Sequence, residues 1–124
     1  MTDDTGEVRP ARMWKTHARV AAICALNDAF RKRGAGGMAA VTPGIKALGS
    51  DALVEITRTI REFDDFNADN DPHGEHDMGA FLYAGERVFW KIDYYDNDLE
   101  HGSPDSANSA VTTRVLTIML ASEY

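Results

Sequence analysis

The sequence predicts an α+β fold: a small antiparallel sheet with a central hairpin packed against two or three helices. Three observations carry this. A long stretch near the start lacks Gly and Pro and has apolar residues at helical spacing. Two runs rich in aromatic and β-branched residues flank Ala84-Gly85. A chain of 124 residues, 44% apolar, has the length and composition of one globular core. Residues 1–124 therefore read as a single domain, with residues 1–11 as a flexible N-terminus.

The first helix is predicted from about Arg12 to Arg33, with Val20, Ile23, Leu26/Asn27 and Phe30 along one stripe. Gly34, Gly36 and Gly37 end it, and Arg31-Lys32-Arg33 sit in the last turn, where cations favour the helix dipole. Met38 to Val41 reads as a short strand, broken by Pro43-Gly44, and Ile45 to Leu48 as a helical turn. A second helix runs from a cap at Ser50 or Asp51 to about Ile60, with Leu53, Ile56 and Ile60 on its apolar side. Phe63-Asp64-Asp65-Phe66 suits either its last turn or a strand start. Residues 67–75 are loop by composition.

The hairpin spans residues 76–83 and 86–95. A two-residue turn would force Ala84 to positive φ, so a three-residue loop, Tyr83-Ala84-Gly85, is the expected connection. It pairs Leu82 with Glu86, Ala80 with Val88, Met78 with Trp90 and His76 with Ile92. One face then carries Leu82, Ala80, Met78, Val88, Trp90 and Ile92 towards the first helix, while Asp77 meets Lys91 as a cross-strand ion pair. After a second loop, Asp96 to Asn108, the run from Ala110 to Tyr124 suits helix or strand. Fifteen residues without Gly or Pro favour a helix. Arg114, on that helix, is expected to pair with an acid.

Charge is distributed unevenly. Met1 to Arg61 holds ten Lys/Arg against six Asp/Glu, a net of +4. Glu62 to Asp105 holds thirteen Asp/Glu against Arg87 and Lys91, a net of −11, and the remainder is neutral, giving −7 for the chain. So acidic a surface disfavours direct nucleic-acid binding and attracts basic protein surfaces. The longest early apolar run, Val20 to Leu26, is too short to span a membrane and leads into Asn27-Asp28 rather than a cleavage site. A cytoplasmic protein with no membrane partner is expected. The single cysteine, Cys24, cannot form an intrachain disulfide and reads as a small core residue.

Three constellations could carry chemistry. His73 and His76, with Asp69 and Asp71 just before them, are residue types that ligate a divalent metal, although their spacing matches no established zinc signature. Asp69, Asp71, Gly74 and Asp77 also occupy four places of a calcium-loop pattern, but Ala80 stands where a bidentate Glu is needed. Lys91, Asp93, Asp77 and Tyr95 form a polar strand stripe of the kind that can move protons or simply face solvent. No nucleophile-plus-base motif, phosphate-cradling loop or dinucleotide fingerprint occurs. Turn formation by Asp, Asn, Pro and Gly accounts for the loop without a ligand.

Several blocks resemble a family of small alphaproteobacterial proteins classed as a domain of unknown function. They are Leu26-Asn27-Asp28-Ala29-Phe30-Arg31, Phe63-Asp64-Asp65-Phe66, Asp69 to Asp77, Phe89 to Asp96 and Thr113 to Leu120, and the resemblance covers roughly residues 20–124. The resemblance implies no activity, cofactor or catalytic residue. It implies frequent carriage on plasmids and other mobile elements, hence a role in element maintenance or in countering host defence. The sequence thus favours a binding role over catalysis: a non-enzymatic acidic protein, without cofactor, engaging a basic, nucleic-acid-handling partner as a DNA mimic. Asp64, Asp65, Asp69, Asp71, Glu75, Asp96, Asp98 and Glu100 are its expected contact residues. The alternative is a metal-dependent hydrolase centred on His73 and His76.

Overall fold

A computed structural model describes residues 8–124, with side chains from residue 16 onward. Residues 1–7 of the expected flexible N-terminus lie outside the described residues. Residues 8–11 form the opening of helix α1 (Val8–Arg33). Strand β1 (Gly37–Val41), the short helix α2 (Pro43–Lys46) and helix α3 (Ser50–Glu62) follow. Gly49, at φ 99°, takes the N-cap position of α3 expected for Ser50 or Asp51. The sheet is completed by β2 (Met78–Tyr83), β3 (Glu86–Tyr95) and β4 (Thr113–Leu120).

The strand order is β1-β4-β3-β2, with β1 parallel to β4 and the other two pairings antiparallel. The α+β class is thus what the chain adopts, but the four-stranded sheet is mixed rather than wholly antiparallel as expected, because β1 runs parallel to β4. α1 and α3 pack on one sheet face. Burial at Ile23, Asn27, Phe30 and Arg31 marks the inward stripe of α1, and Ala52, Ile56 and Ile60 that of α3. Beneath them lie Val88, Trp90, Ile92, Leu116 and Ile118, with Trp90 fully buried and Phe63 edge-on to its indole at 5.6 Å. Cys24 is not in this core. It is partly buried on the flank of α1, because Ile23 and Asn27 take the inward positions.

Two expectations are overturned. Residues 113–120 form a strand, not a helix: Arg114, Leu116 and Ile118 alternate inward with period two, and one-turn 3₁₀ segments, Ser109–Val111 and Ala121–Glu123, flank them. β4 lies between β1 and β3, so both its edges are hydrogen-bonded, a gain that local propensity cannot register. Arg114 therefore sits on a strand, and instead of an ion pair with a described acid it makes hydrogen bonds to Asn27 and Ser106.

The hairpin register also differs. Tyr83 pairs with Glu86 across a two-residue turn in which Ala84 (φ 49°) and Gly85 (φ 84°) are both left-handed, a type I′ turn. Its twist matches that of the strands, which offsets a cost of about 1–2 kcal/mol for alanine there. Met78 then pairs with Lys91, and Ile92 N–H donates to Asp77 O at 2.8 Å. Val88, Trp90 and Ile92 face the core as expected. Their β2 neighbours on that face are Gly79 and Phe81, while Met78, Ala80 and Leu82 turn to the other face, Leu82 being 69% exposed. The expected Asp77–Lys91 pair is replaced by Lys91–Asp93 along one strand, at 2.7 Å.

Candidate functional site

The loop between α3 and β2 is held to α1 by a short polar chain. Arg31, with 1% of its side chain exposed, donates from one terminal nitrogen to Ile60 O (2.7 Å) and Phe63 O (2.9 Å), satisfying carbonyls at the end of α3. Its other terminal nitrogen meets Asp28 Oδ1 at 2.9 Å. Asp28 in turn lies 3.0 Å from His76 Nδ1. The His76 ring stacks on Phe66, centroids 3.8 Å apart and nearly parallel. Its backbone is left-handed at φ 54°, its N–H donates to Asp71 Oδ1 (3.1 Å), and Nε2 lies 3.7 Å from Asp71 Oδ2.

A second chain ties this loop to the one between β3 and β4. Arg114 Nε donates to Asn27 Oδ1 (2.7 Å), and another guanidinium nitrogen donates to Ser106 O (2.6 Å). Asn27, fully buried on α1, donates to Tyr94 Oη (2.8 Å) and Glu75 O (2.9 Å). Tyr94 Oη donates to Glu75 Oε1 at 2.7 Å, and the Arg114 guanidinium lies 5.2 Å from the Tyr94 ring. Every polar atom of the Asn27 amide is thereby used, as a buried amide requires.

These contacts shift titration. Burial opposes ionisation of Asp28, but hydrogen bonds from His76 and Arg31 outweigh it and hold the carboxyl below its ordinary value. Burial, reinforced by Asp28 and Asp71, pushes the Cys24 thiol up to about 11, so it is protonated and a poor nucleophile at neutral pH. Burial, with Glu75 beside it, raises both Tyr94 and Asp77.

Among the described residues, one trio of side chains could converge on a metal: Cys24, Asp28 and His76, whose donor atoms lie within 4.8 Å of one another. A cation there would displace the thiol proton and compete with Arg31 for Asp28. This is not the expected His73/His76/Asp69/Asp71 set. Of those four, only His76 belongs to the trio; Asp71 is 9% exposed and engaged with His76, Asp69 is exposed, and exposed His73 borders a groove with His17, Cys24 and Asp28. Asp69, Asp71 and Asp77 form no such group, as a calcium loop would require.

The expected contact carboxylates divide into two kinds. Asp71 and Glu75 turn inward, and Asp96 caps its own turn, accepting from Glu100 N–H (3.0 Å) and His101 N–H (3.4 Å), which lowers its pKa. Asp64, Asp65, Asp69, Asp98 and Glu100 are exposed and make no ion pair with any described residue. Sequence reasoning missed Cys24, Asn27, Asp28, Arg31 and Tyr94 as parts of one network. The available signal was the presence of Asn27 and Arg31 at the inward spacing of α1, beside Ile23 and Phe30.

A model of the family described as Protein of unknown function (DUF3768) matches residues 41–123. The chain belongs to this family. No curated protein and no solved structure matches. The family match takes in α2, α3, the strands β2 to β4 and both acidic loops. It stops short of Asn27, Asp28 and Arg31, the α1 residues that clamp those loops. No described helix is long and apolar enough to cross a membrane.

Proposed function

We propose that the chain is a non-enzymatic binding protein that engages a basic protein surface through the open end of its β2–β3 hairpin. One observation carries this: five exposed carboxylates with no ion-pair partner among the described residues sit on two loops that α1 clamps to each other and to the sheet. Carboxylates held in advance on a rigid mount lose little conformational freedom on binding and steer a cationic partner at long range. The setting implied by the sequence resemblance, on alphaproteobacterial mobile elements, together with the cytoplasmic location expected from the short early apolar run, suits a nucleic-acid-handling enzyme as the partner and a DNA mimic as the form of action.

The test is affinity capture from the host at low and high salt, with the wild type and an Asp69→Lys, Asp98→Lys, Glu100→Lys variant. Asp96 is left intact because it caps a turn. The wild type is expected to retain a basic partner that elutes steeply with salt, and the folded variant to lose it. Failure to capture a basic partner at low salt would sink the proposal.

The Cys24–Asp28–His76 trio favours a second reading, a metal-dependent hydrolase centred on His76 rather than His73. Stoichiometric zinc or manganese in the purified protein, lost in Cys24→Ser and His76→Ala variants, would favour that reading over the first.

A further inference from the structure

The two edges of the sheet are β1 and β2. Gly37 to Ala40 are all exposed, and among the described residues nothing pairs with the outer edge of β1. Thr42 N–H donates to Ile118 O on β4, so by strand alternation Ala39 and Val41 turn their N–H and C=O groups outward. Beside this edge, between β1 and α3, runs a groove of about 210 Å³ whose lining includes Ala39, Val41, Leu53 and Ile60. The lining holds two cations, Arg31 and Arg61, and no carboxylate. Arg61 makes no ion pair with a described residue, and Arg31 Nε is a buried donor with no partner among the described residues.

We propose that this groove takes the C-terminal segment of another protein as a fifth strand, antiparallel to β1, with its terminal carboxylate beside Arg61. Three features choose this occupant. Unpaired strand groups next to apolar walls are what an added strand satisfies. An antiparallel strand brings its C-terminus to the start of β1, where the turn Gly34–Gly37 lies. A side chain on Gly34 would come within 3.6 Å of the Arg61 guanidinium, so that cation stands at the turn. Gly36, left-handed at φ 97°, has open space above it and leaves the approach clear. A guanidinium binds a carboxylate through paired charge-assisted hydrogen bonds. This site is separate from the carboxylates of the hairpin end, and its test does not depend on them.

The full chain is to be screened against a bead library of octapeptides with free C-termini. Enriched peptides are expected to carry apolar residues at alternate positions near the C-terminus. They should lose at least tenfold in affinity on C-terminal amidation and again in Arg61→Gln. Ala39→Pro removes an outward N–H at an edge position that tolerates proline, and should abolish binding with little change in Tm. Three results would overturn the proposal: no enrichment; binding indifferent to both amidation and Arg61→Gln; or a peptide-free dimer whose β1 amides resist exchange, which assigns the edge to a second copy. If Ala39→Pro unfolds, the amidation and Arg61→Gln comparisons decide alone.

Discussion

Replacing Gly79 by alanine is expected to destabilise the fold, and the sign of the effect tests the hairpin register. Gly79 pairs with Trp90, and a Cβ built on it would lie 2.5 Å from the indole Nε1 and 2.7 Å from Cε2. The indole has little room to yield. It is fully buried, with Phe63 edge-on at 5.6 Å, Phe66 edge-on at 6.2 Å and the Arg31 guanidinium 5.3 Å from its ring. Overpacking of this kind costs about 1–3 kcal/mol. At an unobstructed strand position the same change would stabilise by about 0.4–1 kcal/mol, through the lower entropy of the unfolded chain. The two cases therefore differ in sign. With a urea dependence of about 2 kcal/mol/M, a cost of about 2 kcal/mol lowers the unfolding midpoint by about 1 M, measurable by far-UV circular dichroism. Trp90→Phe loses no hydrogen bond to a described residue, since the indole N–H has no partner among them, and it should partly relieve Gly79→Ala, giving a coupling of about 0.5–3 kcal/mol in the double variant. A Gly79→Ala midpoint equal to or above the wild type would refute the register and the packing drawn from it.

Two further outcomes follow from the clamp. The folded carboxyl of Asp28 titrates below its ordinary 3.8, so its contribution is complete above that value and is lost as pH falls through the lower folded pKa. Asp28→Asn should therefore flatten the acid limb of a stability-against-pH curve below about pH 4, and superimposable limbs would discount the Arg31–Asp28–His76 chain. Arg114→Lys cannot hold Asn27 Oδ1 and Ser106 O with one fork; it should cost about 1.5–3 kcal/mol and speed amide exchange in residues 96–112, and unchanged exchange there would show that Arg114 does not hold the loop.

The acidic surface was partly legible because exposed charges need no tertiary partner to be counted. Asp64, Asp65, Asp69, Asp98 and Glu100 are exposed as a solvated segment would have them. Composition groups Asp71, Glu75 and Asp96 with them, yet each is engaged within the fold by a residue or backbone group that composition cannot reveal. The candidate metal group shows the same limit. His73 and His76 are close in sequence, but the left-handed backbone at His76 turns its ring onto Phe66 and towards Asp28, 48 residues away in sequence.

By itself the sequence determined the α+β class, the strand at 38–41, both main helices and the inward face of β3. Each rests on a periodicity or a breaker that acts within a few residues. Tertiary structure decided the rest. β4 is a strand because two neighbours complete its hydrogen bonds, although its local composition also suits a helix. The hairpin accepts left-handed Ala84 because only that register puts a residue without a side chain under the Trp90 indole. Arg31 and Asn27 are buried because α3 carbonyls, Glu75 and Tyr94 arrive from elsewhere in the chain to satisfy them. Burial of a polar group is favourable only when its partners arrive with it, and partners distant in sequence are brought together only by the fold.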